Sequence, residues 1–156
     1  MDLRDLYKQL IIEESQNPAQ RREVEDATHS GQGKNPSCGD ELSLELRLNP
    51  TDERIEDCAF QGVGCAISTA SASIMSKLLK GKTAAEAKQL LREFLKLIRE
   101  GEVSADEEEH LGEAMAFADI SRMPARVKCA VLAWHTALNL LGEEADRELD
   151  PDEFLD

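Results

Sequence analysis

Leu3, Leu6, Tyr7, Leu10 and Ile11 recur at helical spacing, which predicts an N-terminal helix with one apolar face, capped by Asp2. The pattern stops in Glu13-Glu14-Ser15-Gln16-Asn17-Pro18, and Pro18 closes the helix. Residues 19–37 are polar and rich in turn formers, with room for a short strand near Val24. From Glu41 to Leu48 the pattern changes period. Leu42, Leu44, Leu46 and Leu48 alternate with Ser43, Glu45 and Arg47, as in a half-buried strand. Asn49-Pro50-Thr51-Asp52-Glu53 reads as a turn, and Arg54–Val63 as the returning strand of a hairpin, with Cys58 and Phe60 on one face. These two strands are expected to flank the segment around Cys38 and to deliver the chain to Cys65.

Beyond Gly62-Val63-Gly64 the pattern is helical. A helix from about Cys65 to Lys80 has a body of Ala, Ser and Thr, whose small side chains allow close approach to a sheet, and Gly81 ends it. Thr83-Ala84-Ala85-Glu86 is a capping box opening a helix with Ala87, Leu90, Leu91, Phe94, Leu97 and Ile98 on one face, stopped by Gly101. Ser104-Ala105-Asp106-Glu107 opens a weaker helix through Leu111, Met115 and Ala118. Pro124 suits the first turn of the last helix, with Val127, Ala130, Val131, Trp134, Leu138 and Leu141 as its stripe, and Gly142 stops it. Strands come early and helices late, so the expected fold is α+β: a small antiparallel sheet covered on one face by helices. Residues 1–142 read as a single domain, and 143–156 as an acidic, flexible tail.

The chain has 156 residues and a formal net charge of −14. Such a surface repels nucleic acid and anionic membranes, so neither is expected as a partner. Met1-Asp2-Leu3-Arg4-Asp5 lacks the apolar stretch of a signal peptide, and no apolar run approaches bilayer length, which reads as a cytoplasmic protein. In a reducing compartment the four cysteines are expected as thiols rather than disulfides.

The candidate chemistry centres on Asn35-Pro36-Ser37-Cys38-Gly39-Asp40. A thiol and a carboxylate on either side of a glycine can turn toward one centre, a pairing that suits zinc, and Cys65 and Cys129 can complete a four-ligand set. Both of these read as residues of a helix first turn, where unpaired N–H groups favour thiolate; the alternative is that they are small buried hydrophobes. Cys58, mid-strand beside Ala59 and Phe60, reads as core packing. His29 lies in the polar segment before Cys38, either close to the site or simply exposed, while His110 and His135 read as ordinary helix residues. Arg126 and Lys128 adjoin Cys129, either stabilising a thiolate cluster or forming a solvated helix start.

Three motifs carry a resemblance. The segment 35–40, then Gly62-Val63-Gly64-Cys65-Ala66-Ile67-Ser68-Thr69-Ala70-Ser71-Ala72-Ser73, then Arg126-Val127-Lys128-Cys129-Ala130 resemble the NifU-like proteins of iron–sulfur cluster biogenesis, over the span from the first helix to about Leu141. IscU-type members carry a histidine before the last cysteine and a Leu-Pro-Pro-Val-Lys motif. Here Lys128 and Met123-Pro124-Ala125-Arg126-Val127-Lys128 stand in those places, and extra residues occupy roughly 101–121, departures that look like the SufU branch. The resemblance implies a SufE/NifU-like fold, zinc held by Cys38, Asp40, Cys65 and Cys129, and Cys38 as the catalytic persulfide acceptor of a zinc-dependent sulfurtransferase. It implies a SufS-type, pyridoxal-phosphate-dependent cysteine desulfurase as partner, with downstream SUF assembly proteins after it. The alternative is a scaffold assembling a transient [2Fe–2S] cluster on the same residues.

Overall fold

The computed structural model describes residues 2–142, so the acidic tail expected at 143–156 lies outside the described residues. The order is α1 (Leu3–Gln16), β1 (His29–Asn35), β2 (Asp40–Leu48), β3 (Ile55–Val63), α2 (Ala66–Leu79), α3 (Ala84–Glu100), α4 (Ala105–Leu111), a 3-10 helix (Gly112–Arg122) and α5 (Pro124–Leu140). The three strands form one antiparallel sheet in the order β1-β2-β3, and α2 and α5 pack on its inner face. This is the expected α+β architecture. Among the described residues no helix is long and apolar enough to cross a membrane.

The alternation in β2 does what its period demands. Leu42, Leu44 and Leu46 are buried under the helices while Glu41, Ser43 and Glu45 face outward. The outer edge of β3 is covered by the segment after α1: Phe60 N–H donates to Gln20 O and Arg22 N–H to Phe60 O, both at 3.0 Å. Arg22 grips Asp57 with two hydrogen bonds of 2.8 Å, and that guanidinium holds the Asp57 carboxyl well below the usual carboxylate range.

β1 corrects the sequence reading. Polar residues 29–35 form a full strand, whereas the region near Val24 contributes only an isolated bridge at Arg21. The inward positions of β1 include Gly31 and Gly33, so the strand carries no apolar alternation. The glycines are there because α5 lies directly on the strand. A Cβ on Gly31 would fall 2.6 Å from Leu140 Cδ2, and one on Gly33 2.4 Å from Thr136 Oγ1. The Cys38 segment is therefore the hairpin turn between β1 and β2, and only β2 of the two expected strands borders it. The weak helix after Ser104 is also shorter than expected: it stops at Leu111, where Gly112 (φ 49°) turns the chain into the 3-10 helix.

α2 is the central helix, and its small side chains admit helices as well as the sheet. Ser71 Oγ donates to Ala130 O at 2.6 Å and accepts from Trp134 Nε1 at 2.7 Å, tying α2 to α5. Trp134 stacks on Phe94 at 3.8 Å between ring centroids, fixing α3 to the same helix. On the other side, the buried Glu14 of α1 accepts from Lys77 Nζ at 2.9 Å and Ser73 Oγ at 3.2 Å. The position of α5 over β1 is the contact the site depends on. Gly33→Ala is expected to destabilise the fold by about 1–3 kcal/mol through overpacking, read as a lower midpoint in urea unfolding.

Candidate metal centre

The site is built at one end of the sheet. Asn35 and Asp40 are the paired last and first residues of β1 and β2, and the four residues between them form the turn that carries Cys38. Cys38 N–H closes the turn on Asn35 O at 3.2 Å, and Gly39 takes φ 72°, a left-handed conformation that favours glycine. β3 runs back to the same end, so Gly64 and Cys65 arrive beside Asp40. Cys65 is the N-cap of α2, its Sγ accepting from Ser68 N–H at 3.5 Å. Cys129 reaches the site from α5. It lies in the second turn of that helix, counted from Pro124, and not in the first as its sequence surroundings suggest, so it lacks a free helix-end N–H.

Cys38, Asp40 and Cys129 offer ligand atoms that all lie within 4.8 Å of one another. The two sulfurs stand 3.3 Å apart. Cys65 falls outside that group, although its backbone N–H donates to Asp40 Oδ1. Cys38 and Cys65 are half-buried while Asp40 and Cys129 are buried, so Cys38 is the accessible member of the group and Cys65 an accessible thiol beside it.

Each group is electrostatically prepared. Asp40 is 1% exposed, and its oxygens are all served: Oδ1 accepts from Cys65 N–H at 2.9 Å and Ser68 Oγ at 3.1 Å, Oδ2 from Asn35 Nδ2 at 3.2 Å. The Cys65 thiol is pulled down to about 6, first by the hydrogen bond from Cys129 and then by the Ser68 backbone N–H. Cys129, which gives that hydrogen bond and is buried, is pushed the opposite way. Cys38, Cys129 and Asp40 suit a zinc-sized ion: Zn–S bonds of about 2.3 Å put two sulfurs of a tetrahedron about 3.8 Å apart, against 3.3 Å between Cys38 and Cys129.

The remaining candidates fall away from this centre. His29 starts β1, opposite Leu46 at the far end of the ladder from Asp40, and hydrogen-bonds Thr28 Oγ1. His110 is paired with Glu93 at 3.1 Å, and His135 lies further along α5 beside Asn139. Cys58 is fully buried, and burial pushes its thiol up to about 12, so it stays protonated in the core. Arg126 is exposed and Lys128 half-buried on α5, beside Cys129 in sequence.

Three contributors escaped the sequence reading as site residues: Asn35, Ser68 and Gly64. Asn35 and Ser68 are neutral, which hides them from a search for ligands, although both sit inside the motifs that hold the thiols. Gly64 acts through what it lacks. A Cβ there would stand 2.3 Å from Ser68 Oγ and 2.9 Å from Asp40 Oδ1. Gly64→Ala is therefore expected to push Ser68 and Asp40 apart and to weaken binding of a divalent thiophilic metal by about tenfold or more. Competition against a chromophoric chelator measures this.

Comparison with known proteins agrees with this architecture. Residues 6–130 match the NifU-like N-terminal domain. The chain is 35% identical to the iron–sulfur cluster assembly scaffold protein IscU of Streptococcus pyogenes, over 94% of this chain and 89% of that one. It is equally 35% identical to the zinc-dependent sulfurtransferase SufU of Bacillus subtilis, over 85% of this chain and 87% of that one. A solved structure from Fervidobacterium islandicum, assigned as an iron–sulfur cluster assembly scaffold for the SUF system, superposes with a TM-score of 0.80 at 33% identity, covering 90% of this chain and 99% of that one. The match over residues 6–130 and the identities to these relatives place the chain in the NifU-like N-terminal domain family, among the IscU- and SufU-named proteins of iron–sulfur cluster assembly.

Proposed function

We propose that this protein is a zinc-dependent sulfur acceptor that takes persulfide sulfur from a SufS-type cysteine desulfurase in the cytoplasm and passes it to downstream SUF assembly proteins. The observation that carries the reading is the asymmetry of the thiols: Cys38 is half-buried on a four-residue turn, Cys65 is half-buried but caps α2, and Cys129, 3.3 Å from Cys38, is buried in α5. Cys38, Asp40, Cys65 and Cys129 would hold the zinc. When bound, the metal keeps its thiol ligands deprotonated.

The chain's own part in transfer follows from where the thiols sit. Cys65 caps α2 and Cys129 is packed within α5, so neither can swing without disturbing a helix. Cys38 has only the turn to move, and Gly39 beside it has open space on its Cβ side. A Cys38 thiolate attacks the terminal sulfur of the donor's persulfide. A new S–S bond forms at Cys38, the donor's S–S bond breaks, and the donor cysteine leaves as thiolate, with no net oxidation. Val63 and Met123, 70% and 47% exposed, lie just before Cys65 and α5 and offer apolar contact to a docked partner.

The second reading is a scaffold for a [2Fe–2S] cluster, favoured by the scaffold name of the Streptococcus relative. Lys128 stands against it, because a protonated ammonium beside Cys129 cannot serve as a ligand.

Anaerobically purified protein is expected to contain about one zinc per chain and no coloured cluster; a coloured iron–sulfur protein without zinc would overturn the zinc reading. Removing the metal should lower the melting temperature clearly, because the ligands tie a turn and two helices together. After reaction with desulfurase and cysteine, mass spectrometry should find one added sulfur on Cys38. Cys38→Ser should lose that sulfur and keep the fold, and Cys58→Ser should keep both zinc and sulfur. Sulfur mapped to Cys58, or retained by Cys38→Ser, would show that Cys38 is not the acceptor.

A further inference from the structure

We propose that Asn35 is a positioning residue of this site, its side-chain amide holding Asp40 and Cys129 together as a pair for the metal. The inference rests on the zinc reading above. Asn35 ends β1 directly across the ladder from Asp40 and is 3% exposed. Its Nδ2 lies 3.2 Å from Asp40 Oδ2 and 3.7 Å from Cys129 Sγ. An amide NH2 carries two hydrogens, one for each of these acceptors.

The orientation of the amide is set by its neighbour. Turned over, it would press its carbonyl oxygen against the Asp40 carboxylate, acceptor against acceptor. Its Oδ1 makes no hydrogen bond to protein, so all the side chain's bonding within the protein goes to two candidate ligands. Those ligands come from different elements, and Asn35 and Cys129 are 94 positions apart in sequence. The docking of α5 on β1 brings the two near, and the amide bridges them. A donor between two negative ligands also offsets their repulsion and fixes the direction each faces, as outer hydrogen bonds do around metal sites. Asn35→Asp keeps the shape and reverses this role, placing a third acceptor against the same two atoms.

The test compares wild type, Asn35→Ala and Asn35→Asp. Zinc affinity is measured by competition with a chromophoric chelator, the ligand field by the absorption of the cobalt-substituted proteins, and folding by thermal unfolding of the metal-free forms. Asn35→Ala is expected to weaken zinc by about 10- to 100-fold, Asn35→Asp by more, with altered cobalt–thiolate bands and metal-free melting temperatures close to wild type. Wild-type zinc affinity and cobalt spectra in both variants would overturn the proposal. So would a loss of affinity matched by an equal loss of metal-free stability, which would make Asn35 a structural residue of the turn. Wild-type protein that takes up no zinc would instead overturn the metal reading itself, and the proposal with it.

Discussion

The structure turns on one buried carboxylate. Asp40 is removed from water at the start of β2, and a charge so placed is tolerated only if its lone pairs are satisfied. The groups that satisfy it come from three places: Asn35 at the end of β1, the Cys65 backbone at the entry to α2, and Ser68 in that helix's first turn. The same bonds therefore draw together the turn, the end of β3 and the central helix. Asp40 is a hub of the fold as well as a candidate ligand, and any change that loosens it loosens both.

Around that hub the fold alternates rigid and yielding parts. α2 is fixed on each side by polar contacts buried among small residues, Ser71 to α5 and Ser73 to Glu14 of α1. Polar side chains are unusual in so central a helix, and each is satisfied in a way that leaves no room for a large neighbour. Against this frame Cys65 and Cys129 are fixed points. Cys38 is the one held on a turn rather than by a helix.

Much of this was legible in the sequence where periodicity or capping carries the signal. The Leu42–Leu46 alternation, the Thr83 and Ser104 capping boxes, and the stop at Gly101 all appear as read, because each depends on local chemistry. β1 was illegible for a physical reason. Its inward residues are His29, Gly31, Gly33 and Asn35, the glycines leaving room for α5, and a face without large apolar side chains leaves no hydrophobic trace. The motif cysteines and Asp40 were legible as candidates, and the structure brings Cys38, Asp40 and Cys129 together. Their environment was not. The place of Cys129 in its helix, and the neutral residues Asn35 and Ser68 that serve the charged ones, depend on tertiary contacts that no spacing in the sequence records.

The separation of Cys38 from Cys129, 91 positions along the chain, bears on how the protein is made. During synthesis the turn, Asp40 and Cys65 leave the ribosome well before α5 exists. Until α5 docks on β1 the early thiol and carboxylate form an incomplete and weakly binding cage. Completion of the cluster thus requires closing a long loop between the turn and α5, an entropic cost that local contacts do not carry.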